Sequence, residues 1–234
     1  MPLPSISFSF QSNQESKTVP IHYVYCIGYT GRNQEKVQAH VEELAELGVP
    51  RPNNIPALYP MRLSSLTTAE EIQVSGAETS GEAEIALIFS NDELFVTIGS
   101  DHTDRELETV DIGKSKQVCD KPIAKEAWPI DEVLTHWDEL TLSTEILIDG
   151  EWQPYQNDKF SAILSFDNIV EMLQKRSISI KKAVFFAGTV PLLDGFKFGQ
   201  AYKMVLSDPV LNRTIELEYK VKDLTAEKNE VKNS

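Results

Sequence analysis

The residues of this sequence best spaced to do chemistry are three carboxylates on a predicted β-hairpin. Gly81 to Phe89 reads as a strand, so Glu82 and Glu84, two apart, point the same way. Ser90-Asn91-Asp92-Glu93 supplies a turn, and Leu94 to Ile98 reads as the returning strand. With Asn91-Asp92 as a two-residue loop, Glu82 falls opposite Asp101 and Glu84 opposite Gly99. Like charges set opposite one another across two strands repel. A cation would relieve that repulsion. Two glutamates and an aspartate are hard oxygen donors, suited to Mg²⁺, Mn²⁺ or Ca²⁺ rather than Zn²⁺. Three protein ligands leave positions open for the oxygens of a substrate. The same pattern also fits a solvated edge whose carboxylates face water.

Three further groups carry possible chemistry. In a predicted helix over 33–47, Val37, Val41, Leu44 and Leu47 form an apolar stripe, and His40 falls on it. Glu43 is one turn from His40 and within reach of the imidazole, an arrangement that suits a general base or a satisfied interfacial histidine. Arg105 and Lys114 follow the acidic trio closely and could clamp a carboxylate or balance surface charge. Gly188-Thr189 leaves a buried strand, where glycine permits close backbone approach and the threonine hydroxyl could meet a ligand oxygen. A plain strand exit accounts for the same residues. No glycine-rich phosphate loop, nucleophile elbow, CxxC pair or HExxH motif occurs.

The elements that must position these groups are mostly strands. Residues 5–10 and 21–27 alternate like strands, and the helix over 33–47 has Asn33 or Thr30 as a cap and Gly48 as a stop. Four prolines between 50 and 60 make a stiff connector. Short helices are expected over 131–140 and 168–175. Strands are expected over 142–148, 160–164, 183–187, 202–206 and 214–221, with a turn at Asp149-Gly150. We expect residues 1–60 as strands and a helix packed on a core of 61–222, with a flexible tail over 223–234. At 234 residues and 41% apolar, the chain can bury a large core. Its net charge of −14 argues against nucleic acid and anionic membrane surfaces as partners. Two cysteines make no disulfide framework. No signal-peptide or membrane-span pattern occurs, so a cytoplasmic location is expected.

Taken in order, the motifs resemble those of the fumarylacetoacetate hydrolase superfamily. Gly31-Arg32-Asn33 opens a lid helix, and His40 with Glu43 fits its dyad. Glu82 and Glu84 fit the paired glutamates. Asp101-His102-Thr103-Asp104-Arg105-Glu106 fits the third ligand and its arginine, with Glu106 in place of an aspartate. Lys114-Ser115, Ile148-Asp149-Gly150-Glu151 and Gly188-Thr189 complete the series, which spans roughly residues 28 to 221. The chain departs from the pattern in the short interval between Glu84 and Asp101, in the longer one between Asn33 and His40, and in Val190 before Pro191.

The resemblance implies an α+β, mainly β fold, a mixed β-roll with a few short helices and an N-terminal lid helix, assembled as a homodimer. It implies a divalent ion, Mg²⁺ by preference and Mn²⁺ or Ca²⁺ otherwise, on Glu82, Glu84 and Asp101. The implied reaction is hydrolysis of a C–C bond in an acylpyruvate-like 2-oxo acid through a metal-bound enolate. In it His40, Glu43 and Lys114 would be catalytic, and Arg105, Thr189 and Gly188 would bind the small anionic substrate. Decarboxylation or isomerisation of a 2-oxo acid at the same site, and a non-catalytic cation-binding module, are the alternatives.

Overall fold

A computed structural model describes residues 5–10, 16–46, 48–91 and 93–226, with the backbone alone at His40. Alternation of apolar residues on strands buried on both faces organises the whole chain. In Ala83–Phe89, Ile85 and Leu87 enter one hydrophobic core while Ala86 and Ile88 enter another. This strand lies inside a six-stranded mixed sheet, in the order 128–129, 94–100, 83–89, 183–189, 23–28, 57–61. A five-stranded sheet, in the order 151–159, 141–148, 201–208, 213–223, 71–74, covers the first core with Leu142, Ile146, Met204, Leu206 and Ile215. The N-terminal hairpin, Ser5–Ser9 with Ser16–Pro20, covers the second with Ile6, Phe8 and Val19. The architecture is α+β and mainly β, as the sequence suggests.

The hairpin forms in the expected register. Ala83 pairs with Ser100 and Glu84 with Gly99, and the Asp101 N–H donates to the Glu82 carbonyl at 3.2 Å. Asp92 at its tip lies outside the described residues. The first helix runs Gln34–Glu46. Asn33 caps it, its side-chain oxygen accepting from the Lys36 N–H at 3.1 Å, and Gly48 ends it at a φ of +93°. Val37 and Val41 are buried as the stripe requires. Residues 23–28 and 57–61 are strands of the main sheet, so much of the segment 1–60 is woven into it.

Four elements differ from the sequence expectation. Residues 151–159 form a full strand paired with 141–148. Its polar residues and Pro154 hide it from apolar periodicity, and it lies at a sheet edge beside a register shift, where proline is tolerated. Residues 160–162 form a 3₁₀ turn, not a strand, with Phe160 buried beneath it. Arg105–Glu108 and Ile112–Val118 are short helices, capped by Asp104 and Asp111, in a stretch that reads as a charged loop. The expected tail from 223 falls largely outside the described residues. No helix among the described residues is long and apolar enough to cross a membrane.

Candidate active site

The hairpin base, the first helix and the loop after strand 183–189 enclose a cavity of about 850 Å³. Glu82, Glu84, Arg105, Lys116, Thr189 and Glu43 line it. Asp101 lies just behind the wall and is 1% exposed.

Each carboxylate has a distinct anchor. Glu82 accepts from Arg105 Nη2 at 2.8 Å. Arg105 is itself held by Glu108 at 2.9 Å and by Ser80 Oγ, to which its Nε donates at 2.7 Å, and its guanidinium lies 4.1 Å from the Phe196 ring centroid. Asp101 receives two buried lysines, Lys116 at 2.5 Å and Lys121 at 3.1 Å. Despite its burial, these cations hold its carboxyl well below the usual range. Glu84 has no ion pair among the described residues. It accepts the Gly188 N–H at 3.1 Å. Burial, then the charges of Asp101 and Glu82, push its carboxyl well above the ordinary value.

Backbone irregularities aim these groups. The pairing of 183–189 with 83–89 shifts register between Phe186 and Thr189, a bulge that turns the Gly188 N–H toward Glu84. Gly188 has φ +146°, and a Cβ there would stand 2.6 Å from Thr30 Oγ1, so only glycine fits. The Thr189 hydroxyl donates to the Ala83 carbonyl at 2.8 Å and accepts from Gln156 Nε2 at 2.8 Å. Gln156, 1% exposed, also accepts from the Ala83 N–H and the Thr144 hydroxyl, and so ties both sheets together behind the site. His102 is fully buried, bonded to Tyr219 Oη at 3.0 Å and Thr79 Oγ1 at 2.9 Å. Burial drives its pKa well down, so it is a neutral strut for the Asp101 turn.

The structure therefore gathers Glu82, Glu84, Asp101, Arg105, Gly188 and Thr189, and places Glu43 on the cavity wall. The His40 backbone lies in the first helix, and its side chain falls outside the described residues. Lys114 stands apart: its side chain is 74% exposed and pairs with Asp111 at 3.3 Å. Lys116 occupies the place expected of it. Two residues along a helix turn a side chain by about 200°, so the two lysines face opposite ways. Ile112, Ser115 and Lys116 share the buried face. That i, i+3, i+4 spacing was the available signal for Lys116. Lys121 and Gln156 had none, because pairing between distant segments buries them.

Among the described residues, no set of three His, Cys, Asp or Glu side chains already converges as a finished metal cage. The donor chemistry nevertheless suits a hard divalent ion. With every group ionised, four carboxylates (Glu82, Glu84, Asp101, Glu108) face three cations (Arg105, Lys116, Lys121), and the one unmatched negative charge is the one that a proton on Glu84 cancels when no cation is bound.

Comparison with solved structures places this fold among known ones. The chain is similar to 2-keto-3-deoxy-D-arabinonate dehydratase complexed with magnesium and 2,5-dioxopentanoate, with 16% identity, TM-score 0.62 and 92% and 78% of the two chains covered. It is similar to a fumarylacetoacetate hydrolase family protein of yeast, with 17% identity, TM-score 0.60 and coverage of 87% and 94%. It is also similar to 4-oxalocrotonate decarboxylase from Pseudomonas putida G7, complexed with calcium and acetate, with 11% identity, TM-score 0.51 and coverage of 84% and 76%. Comparison with curated protein sequences gives no match. The family described as protein of unknown function (DUF2848) matches residues 27–219. This chain therefore belongs to the DUF2848 family and carries the fumarylacetoacetate hydrolase fold.

Proposed function

We propose that this protein is a divalent-metal-dependent enzyme that hydrolyses a C–C bond in an acylpyruvate-like 2-oxo acid. The observation that carries the reading is the carboxylate cluster of Glu82, Glu84 and Asp101 at the wall of a substrate-sized cavity. Two proteins of the same fold, one solved with magnesium and a dioxo acid and one with calcium and acetate, support the divalent metal and the 2-oxo acid class.

Glu82, Glu84 and Asp101 would hold the ion, Mg²⁺ by preference, or Mn²⁺ or Ca²⁺. When bound, it would polarise the 2-oxo group and offset enolate charge. Arg105 keeps Glu82 in place, and the Gly188 N–H does the same for Glu84. Lys116 reaches the cavity wall and adds positive charge where the enolate develops. Arg105 and Thr189 also line the cavity and would border the substrate carboxylate. His40, oriented by Glu43, would take a proton from water. The water oxygen adds to the distal carbonyl carbon and the C–C bond breaks. Its electron pair remains on the pyruvate fragment, which is then protonated, while the acyl fragment leaves as a carboxylic acid. A homodimeric, cytoplasmic enzyme completes the reading, and light scattering checks the assembly.

A non-hydrolytic reaction of a 2-oxo acid is the second reading, favoured by the likeness to a dehydratase and a decarboxylase. A panel of acylpyruvates and oxaloacetate, assayed with Mg²⁺ and with chelator, tests both. His40→Ala separates them: loss of hydrolysis with decarboxylation retained assigns water activation to the lid. Inactivity across the whole panel refutes the enzymatic reading and leaves a cation-binding module.

A further inference from the structure

Much of the cavity lining is apolar. Besides Glu84 and Lys116 its walls include Val37 and Leu44 of the first helix, Ile112, and Pro191, Leu192 and Phe196 of the loop that follows strand 183–189. Leu192 is fixed by a backbone bridge to Gln156, and Phe196 by its stacking on Arg105. This is an apolar slot with one rigid side.

The outer end of the cavity carries net negative charge. Arg32 gives Nη1 and Nη2 to Asp138 at 2.7 and 2.6 Å and Nε to the Ile163 carbonyl at 2.9 Å. Lys36, Asp158 and Glu43 also line the cavity, one cation against two carboxylates. A second carboxylate on the substrate tail would be set among apolar walls and beside this net negative rim, which is costly.

From these two observations, and resting on the proposed reaction, we infer that the substrate carries one carboxylate and an uncharged, apolar acyl tail. The tail, aryl or extended alkyl, lies between the first helix and Leu192. Leu192 is a specificity-determining residue for it.

Two measurements test this. In the first, kcat/KM is compared with Mg²⁺ for 2,4-dioxo acids ending in methyl, phenyl and carboxylate-bearing tails. The phenyl substrate is expected to exceed the methyl one by roughly tenfold or more, since filling a hydrophobic pocket discriminates by about that factor per small group. In Leu192→Ala the phenyl-to-methyl ratio falls about fivefold or more. The ratio is taken within one preparation, so partial unfolding cancels. A preference for the carboxylate-bearing tail, or a ratio unchanged by Leu192→Ala, overturns the inference and leaves the proposed reaction standing. In the second, calorimetry with Mg²⁺ compares binding of phenylpyruvate and oxaloacetate to the whole protein. Phenylpyruvate is expected to bind at least tenfold more tightly, and equal or reversed affinities overturn the inference. If no substrate turns over, the proposed reaction fails, and this binding order still decides the tail.

Discussion

Replacing Glu84 by glutamine is expected to stabilise the metal-free protein at neutral and higher pH, although the change falls in a central strand of the site. Glu84 is 5% exposed and accepts one hydrogen bond, from Gly188. Its carboxyl titrates well above the ordinary range because it is buried and faces Asp101 and Glu82. The folded state therefore holds this proton more tightly than the unfolded chain, where glutamate titrates near about 4.3. Between those two pKa values the folded state binds more protons, so stability falls as pH rises through the window. Above it the full cost of a buried, unmatched charge is present. Glutamine preserves the shape and the acceptor for Gly188 while removing the charge. The gain should be about 1–3 kcal/mol at pH 8, the cost of an unsatisfied buried polar group. For a chain of this size that is roughly 2 to 12 °C in Tm. At pH 4, where Glu84 is itself protonated, the difference should vanish. The assay is calorimetric melting of both proteins in chelator at pH 4 and pH 8. Saturating Mg²⁺ should then stabilise the parent protein alone, by about 2.7 kcal/mol at a hundredfold excess over Kd, and raise its Tm. A variant that is less stable than the parent at pH 8 in chelator, or a difference independent of pH, refutes the charge assignment.

Four shorter tests follow from the same geometry. Lys121→Met strands part of the Asp101 charge. It should destabilise the protein by an amount near the lower end of about 3–5 kcal/mol, since Lys116 still pairs with Asp101, and urea unfolding at pH 7 reads the loss. Lys116→Met should reduce turnover of any active 2-oxo acid by at least about a hundredfold, the scale of one electrostatic donor, while Lys114→Ala stays within about twofold of the parent. Gly188→Ala forces a left-handed backbone and a contact with Thr30, so a loss of about 1–3 kcal/mol is expected, with weaker Mg²⁺ binding because Glu84 is displaced. Burial pushes Cys119 up to about 11 and raises the Cys26 thiol well above its ordinary value; native protein should therefore resist thiol reagents at pH 8, and both cysteines should react in denaturant.

Local rules reached further into this site than its weak motifs suggest. The hairpin register followed from a two-residue turn and a period of two, and that register sets Glu84 opposite Gly99 and Asp101 beside Glu82. The first helix and its caps followed from Asn33, Gly48 and the valine stripe. The turn at Asp149-Gly150 forms with both residues at positive φ, as aspartate and glycine allow. Where charge density masked periodicity, the reading failed. Residues 105–118 look like a solvated loop, yet two capped helices there bury Arg105 and Lys116. Residues 151–159 look too polar for a strand, because an edge strand needs only one apolar face.

The sequence by itself determined which carboxylates share a face, where the first helix begins and ends, and that the chain is mainly β. These depend on spacing within a few residues, and backbone geometry fixes such spacing. Tertiary structure alone decided which cations meet those carboxylates. Lys121 and Gln156 reach the site through pairings between segments far apart in the chain, and Arg105 is committed to Glu82 and Glu108 by its burial. Burial is also what turns three nearby carboxylates into chemically different groups: one paired with arginine, one held ionised by two lysines, and one left to carry a proton. No short-range pattern encodes that difference, because it arises from how much water and how much opposing charge the folded chain leaves around each group.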